Sequence, residues 1–458
     1  MRFMKFGKAL CMCALSAGII YGISSCVESY TVGFLFVTGT VTASTGSNGI
    51  ITGYKIDHNT GRLAQINGLP IGSGGANPVR AVLTVGSRFV YILNRGVSAS
   101  GSASCYGVGA NACENSNITE FAVGGNGILT QQQTFYTEGI NPFRLIADTT
   151  GSYLLALDHD APDNAAPSAA DNCALALGSA VTTCGDMTVF KIDSTTGRLS
   201  LVVNAQVTSA GGQPINYFPV PANPVDFVLS GGYVLTLTGA PTPNSYPYVG
   251  GTEVWPYAYS STSGQLTLSQ NSVQSLGIHA GTAIVNASGA IYVLDNEPVT
   301  ATIGSTSVSA PSEILPFTVG TGGALQAETS GVIPDAPTLS NPIYVLVEAK
   351  GQYVYVANQG NNVTGPNPES GIAGYFLTTS PAYQLSFLAD QPFGSGSGPQ
   401  CIVEDPSNQY IFEANEYDST ITGRTLEPET GDLDDMRSTE TYKLEGPPTW
   451  CLVDGRTG

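Results

Sequence analysis

Three histidines in 458 residues leave little choice of general base. His159 lies between Asp158 and Asp160. Carboxylates beside an imidazole favour its protonated form, so the pKa of His159 is expected to rise. Arg80 and Arg144 are fixed positive donors in matching contexts, Asn77-Pro78-Val79-Arg80 and Asn141-Pro142-Phe143-Arg144. Hydrolysis of an ester-like carbonyl needs a base to activate water and a cation to stabilise the oxyanion. His159, Arg80 and Arg144 are therefore the candidate catalytic set. Each also has a structural reading: His159 as a solvated residue of a Pro- and Asp-rich insertion, the arginines as channel-lining partners of Asp226 or neighbouring carboxylates. Asp158, Asp160, Asp295, Glu297 and Glu416 offer oxygens to calcium, which takes about six to eight. No calcium-loop spacing accompanies them, and a solvated acidic rim has the same composition.

These residues are far apart in the chain, and a repeat is what would bring them together. A Gly-x-Leu element follows an apolar alternating strand and ends at Leu63, Leu129, Leu199, Leu266, Leu325 and Leu433, with a degenerate copy at Leu385. Asn-Pro opens a second element at Asn77, Asn141, Asn223 and Asn341, with weaker versions near His279 and at Gly398-Pro399. Each unit reads as four short strands of period two, separated by Gly, Asn and Pro turns. One such sheet cannot bury both faces, but radial stacking of seven can. No amphipathic helix lies between the strands, which argues against a parallel sheet with crossovers. The predicted fold is all-β: a seven-bladed β-propeller with four-stranded blades. The chain begins with what reads as strands two to four of a blade and ends with PTWCLVDG, a strand one. Both termini would then close one blade.

Arg2, Lys5 and Lys8 precede an apolar or small run from Ala9 to Ile23, too short to span a bilayer and suited to an export signal. The run ends at Ile23-Ser24-Ser25-Cys26, which resembles the lipobox of bacterial lipoproteins. That resemblance implies a leader over residues 1–25, a lipidated Cys26 and a propeller over 26–458. An ordinary cleaved signal with an incidental Cys26 is the alternative. Losing three basic and no acidic residues would take the net charge from −19 to −22. Binding to nucleic acid, which rests on neutralising phosphates, is excluded on that balance. Membrane contact is expected only through the lipid anchor, in the periplasm or at the outer-membrane surface. Six cysteines outside the leader, Cys105, Cys113, Cys173, Cys184, Cys401 and Cys451, read as disulfides in an exported chain. Cys105 with Cys113 and Cys173 with Cys184 would close small loops. Cys401 and Cys451, at equivalent positions of neighbouring blades, would lock the ring. No metal-ligand spacing competes.

The units YVYVAN at Tyr353 and FKIDSTTGRL at Phe190 resemble the repeats of lactonase-family and YVTN-type propellers. The resemblance spans nearly the whole chain beyond the leader. It implies a site around the central channel, on the face where strand one begins and strand two ends. Enzymatic members are expected to place several His and Arg residues on that face, often His just after the Pro of strand one; here Val79, Phe143, Val225, Ile343 and Gln400 follow the prolines. On that face the repeat places Arg80, Arg144, Asp226 and Tyr344, then Arg95, Asp295, Glu297, Asn358 and Glu416, with His279 near the start of an inner strand. These are the candidate ligand-binding residues. Two functions follow. One is a monomeric binding or interaction propeller for a small molecule, polysaccharide or protein, with aromatic loops at Tyr246, Tyr248 and Trp255. The other is an exported lactone hydrolase. Insertions from Val97 to Asn117 and from Ala161 to Asp186 are candidate partner contacts.

Overall fold

The structure, a computed structural model, describes residues 30–41, 48–84, 86, 88–98, 105, 112–165, 171–239, 251–269, 273–287, 289–303, 306–328, 332–362, 367–379, 382–437 and 441–455. The expected leader with Cys26, and Tyr246 and Tyr248, lie outside the described residues.

Seven antiparallel sheets, each of four main strands, are wound outward from inner strands that surround a channel. The inner strands of blades I to VII are Pro78–Leu83, Ile140–Ala147, Pro224–Ser230, Gly281–Ala287, Pro342–Val347, Pro399–Glu404 and Pro448–Asp454. Blade VII closes the ring as expected. Its inner strand comes from the C-terminal end and pairs with Thr31–Thr40, which pairs in turn with Gly49–Asp57. Among the described residues, no helix is long and apolar enough to cross a membrane.

Burial explains why the repeat is so regular. Strand two of most blades is buried along its whole length, as in Phe89–Asn94, Tyr353–Asn358 and Tyr410–Asn415. Apolar residues therefore face both neighbouring blades. Seven apolar clusters result, one at each blade junction. An eighth lies under the insertion held by Cys173 and Cys184. The glycine of the Gly-x-Leu turn serves this packing twice. Gly264 has φ +70°, which only glycine adopts freely. A Cβ there would also lie 2.6 Å from the ring of Tyr153 on the preceding blade. Gly61 meets Tyr410, Gly197 meets Phe89 and Gly431 meets Tyr353 in the same way.

The Asn-Pro element has a comparable cause. Asn77, Asn141, Asn223 and Asn341 all have φ between 53° and 61°, in the left-handed region that asparagine tolerates. Their carbonyls accept from the chain leaving strand two, as in Arg95 N–H to Asn77 O at 2.9 Å and Gln359 N–H to Asn341 O at 2.9 Å. Immediately afterwards every inner strand carries a β-bulge, at Val79, Phe143, Val225, Thr282, Ile343, Gln400 and Thr449. A bulge re-aims side chains and breaks the pairing locally.

All three expected disulfides are present: Cys105–Cys113, Cys173–Cys184 and Cys401–Cys451. The last joins the inner strands of blades VI and VII, but not from equivalent positions. Cys401 shares the register of Trp450, so Cys451 sits one residue further along its strand. Successive strand residues point to opposite faces. Equivalent positions on adjacent blades point the same way round the ring, and the one-residue offset is what turns the two sulfurs toward each other.

The blades also bury acidic groups. Glu413, in strand two of blade VI, has no exposed surface, and neither of its carboxylate oxygens accepts a hydrogen bond among the described residues. Burial pushes its pKa up to about 8 against the pull of Arg424. Asp158 and Asp186 face each other across two strands of blade II. Burial raises both, Asp158 to about 8. A carboxyl with a raised folded-state pKa stabilises the fold below its unfolded pKa of roughly 4, and that contribution is lost as pH rises through the folded value. A tenfold change in proton affinity is worth roughly 1.4 kcal/mol. The thermal midpoint should therefore fall between pH 5 and pH 9, and Glu413→Gln should flatten that fall. A midpoint that stays constant or rises with pH in calorimetric scans would contradict this account.

Candidate functional site

The residue after each bulge stands at one level of the channel, in a shared register: Arg80, Arg144, Asp226, Ala283, Tyr344, Cys401 and Trp450. Four of the expected ligand residues are thus brought into one layer. Arg144 Nε donates to Asp226 Oδ1 at 3.0 Å, and the other carboxylate oxygen of Asp226 accepts the Ile284 backbone N–H at 3.1 Å. The guanidinium of Arg80 lies 3.6 Å over the ring of Trp450. Trp450 in turn meets Tyr344 edge to face at 5.2 Å. Withdrawal from solvent and the charge of Arg144 lower the Arg80 pKa to about 9, opposed by Asp226 and Tyr344. Arg80 is therefore a cation at neutral pH, resting on the indole face. Cation–π contacts contribute about 0.5–2 kcal/mol and leave the in-plane N–H donors for other acceptors.

Above this layer opens a recess of 210 Å³, lined by Arg80, Arg144, Glu416, Pro448 and five bulge residues: Val79, Thr282, Ile343, Gln400 and Thr449. Glu416 accepts from Gln359 Nε2 at 3.0 Å and from Gln400 Nε2. Its burial raises its pKa. Below the layer the channel widens to a cavity of 480 Å³.

The other expected residues are not brought to this layer. His159 is only 5 % exposed, and the bulge residue Phe143 stacks on its ring at 3.6 Å. Its pKa lies well below the ordinary histidine value, because of burial first and the charges of Arg95 and Arg144 second. The expectation that flanking carboxylates raise it is thus reversed. Asp158 accepts from Thr137, while Asp160 accepts from Asn141 and Asn164. Their oxygens are engaged away from the imidazole, and adjacent residues in a strand do not share a face. Arg95, at 7 % exposure, is withdrawn from the channel wall. Asp295 and Asn358 are fully buried at the ends of their strands. Asp295 accepts the Ala280 N–H at 2.9 Å, and Asn358 donates to Val356 O at 3.3 Å. They pin blade ends and do not line the recess. His279 is exposed at the rim and pairs with Glu297 at 3.0 Å.

Trp255 is half-buried in an outer strand, donating to Glu253 at 2.9 Å, and is not an exposed loop aromatic. The acidic residues expected to hold calcium do not converge. Among the described residues, no group of three or more His, Cys, Asp or Glu is placed to hold a metal ion. Of the expected ligand residues, Glu416 does join the arginines, in the recess above the layer, whereas Trp450 was not among those expected. Trp450 stands in Pro447-Pro448-Thr449-Trp450, the blade VII counterpart of Asn77-Pro78-Val79-Arg80, and that alignment was the available signal.

No family profile matches the chain, and no curated protein matches it. Solved structures do. The periplasmic gluconolactonase of Pseudomonas aeruginosa aligns over 92 % of this chain and 99 % of its own, with TM-score 0.61 and 13 % identity. A candidate 6-phosphogluconolactonase from Bacteroides fragilis aligns over 94 % and 99 %, with TM-score 0.61 and 14 % identity. Another from Bacteroides uniformis aligns over 92 % and 99 %, with TM-score 0.60 and 14 % identity. The fold is that of a lactonase-like seven-bladed propeller, and identities this low speak to fold alone.

Burial of His159 has a spectroscopic consequence. Its imidazole resonances should keep neutral-form shifts from pH 8 down to pH 5 in an NMR titration. A midpoint at or above 6.5 would mean that the ring is not shielded by Phe143.

Proposed function

We propose that this chain is an exported, lipid-anchored binding propeller whose channel mouth receives a small ligand carrying a carboxylate or a polarised carbonyl. The observation that carries the reading is Arg80. It is a cation in a recess, placed on an indole face, while the neighbouring Arg144 is engaged by Asp226. Charge-assisted hydrogen bonds from a guanidinium to a carboxylate are the strong class of such bonds. Three disulfides and a periplasmic structural neighbour support export. Interaction with a polysaccharide or protein through the insertions is the wider form of the same proposal.

A second reading, lactone hydrolysis, is favoured by one specific arrangement: Glu416 shares the recess with both arginines. Water held by Glu416 would attack the ring carbonyl, and Arg80 and Arg144 would hold the oxyanion. The ring C–O bond would then break, and the proton taken by Glu416 would pass to the leaving alkoxide. His159 would serve as the base only if Phe143 swung away.

Titration calorimetry with gluconate and glucuronate should give binding that Arg80→Met weakens by about tenfold or more, the scale of one charged hydrogen bond. Unchanged affinity in Arg80→Met would remove the basis of the binding reading. For hydrolysis, a lactone panel should show turnover that falls by about 10²-fold or more in Glu416→Gln. Turnover that survives that change and is lost in His159→Phe would return the role of base to His159.

A further inference from the structure

The 480 Å³ cavity beneath the arginine layer has a composition that the mouth does not share. Two residues beyond the layer, the inner strands of blades I, II, III, IV and VI present Val82, Ile146, Val228, Val285 and Val403, all lining this cavity and all only partly buried. The volume lies within the range of small-ligand pockets, about 300–1,000 Å³. Aliphatic surface around a channel gains free energy when an apolar body displaces its water. At the upper end of the same cavity stand Arg80, Arg144, Asp226, Tyr344 and Trp450. Within this layer two guanidiniums stand against one carboxylate, Asp226, which pairs with Arg144; Glu416 lies in the recess above and forms an ion pair with neither arginine. A sugar acid would satisfy the charge of Arg80 and leave the aliphatic ring wet. A neutral lipid would fill the ring and leave Arg80 unmatched.

We infer that the channel binds an amphipathic monocarboxylate, its head on Arg80 and its apolar body in the aliphatic ring below. This rests on the reading of Arg80 as an anion receptor and adds the apolar half of the ligand. The carboxylate supplies one negative charge to a layer that lacks one, and the hydrocarbon covers valine and isoleucine side chains that the fold leaves facing the channel.

The test is a chain-length series. Acetate, butanoate, hexanoate, octanoate and decanoate are titrated into the purified intact protein by calorimetry, below their micelle concentrations. Affinity should rise about fourfold per added methylene, from roughly 0.8 kcal/mol for each one buried. Arg80→Met should weaken every member of the series. Ala147→Phe, which narrows the lower wall of the cavity, should stop the rise at a shorter chain. The wild-type series stands as the test if that variant does not fold. Affinity independent of chain length, with Arg80-dependent binding of acetate or gluconate intact, would overturn this inference and leave the proposed function standing. Chain-length dependence that is equal in Arg80→Met would overturn it as simple apolar adsorption. Loss of both Arg80-dependent binding and chain-length dependence would overturn both readings.

Discussion

Everything in this molecule depends on the junction between one blade and the next. A four-stranded sheet with apolar residues on both faces has no stable existence alone, and each blade here supplies one wall of two clusters. The contact is close because the turn between strands three and four carries glycine where it meets an aromatic ring of the preceding blade, as Gly264 meets Tyr153. Any side chain at that glycine would separate the two blades at their outer edge. Ring closure then follows from both ends of the chain sharing blade VII, and Cys401–Cys451 holds blades VI and VII together near the channel.

The channel site is a by-product of the same repetition. A left-handed asparagine or glycine turns the chain into five of the inner strands, at Asn77, Asn141, Asn223, Asn341 and Gly398, and all seven inner strands carry a bulge near their start. Because the bulge recurs seven times, residues at one repeat position form a layer, although Arg80 and Trp450 are hundreds of residues apart. The frame is fixed by backbone hydrogen bonds and buried polar ends such as Asn94, whose side chain bonds to Ser73, Asn117 and Thr119. Within the layer, Cys401 in its disulfide and Asp226 on the Ile284 backbone share in that frame. The layer position otherwise differs from blade to blade, as at Arg80, Tyr344 and Trp450, and the candidate site lies in that difference.

This division explains what was legible beforehand. Blade number, ring closure and disulfide pairs follow from period and spacing, which the chain displays openly. Arg80, Arg144, Asp226 and Tyr344 were also legible, because each stands at a fixed distance from a recognisable Pro. Adjacency in sequence misled elsewhere. Asp158, His159 and Asp160 look like a charged cluster when written in a row, yet the pleat sends them to different partners. The one-residue offset between Cys401 and Cys451 was hidden for the same reason, since facing requires a step that equivalence forbids. Trp450 was hidden because its blade opens with Pro447-Pro448 where four others have Asn-Pro.

The strong acidity of the chain and the cation in its channel are compatible, and the reason bears on what can bind. At physiological salt the Debye length is about 8 Å, so most of the net charge of −19 is screened from the channel. What a ligand head meets there is the local set: Arg80, Arg144 and Asp226, with Glu416 tied up by two amides. A polyanion cannot exploit one unmatched cation, because its affinity accumulates over many phosphate contacts and the surrounding surface repels the remainder. A single carboxylate needs only one such contact. On the proposed binding role, the acidity of the whole and the basicity of the layer would act together as a filter that favours small monoanions over large polyanions.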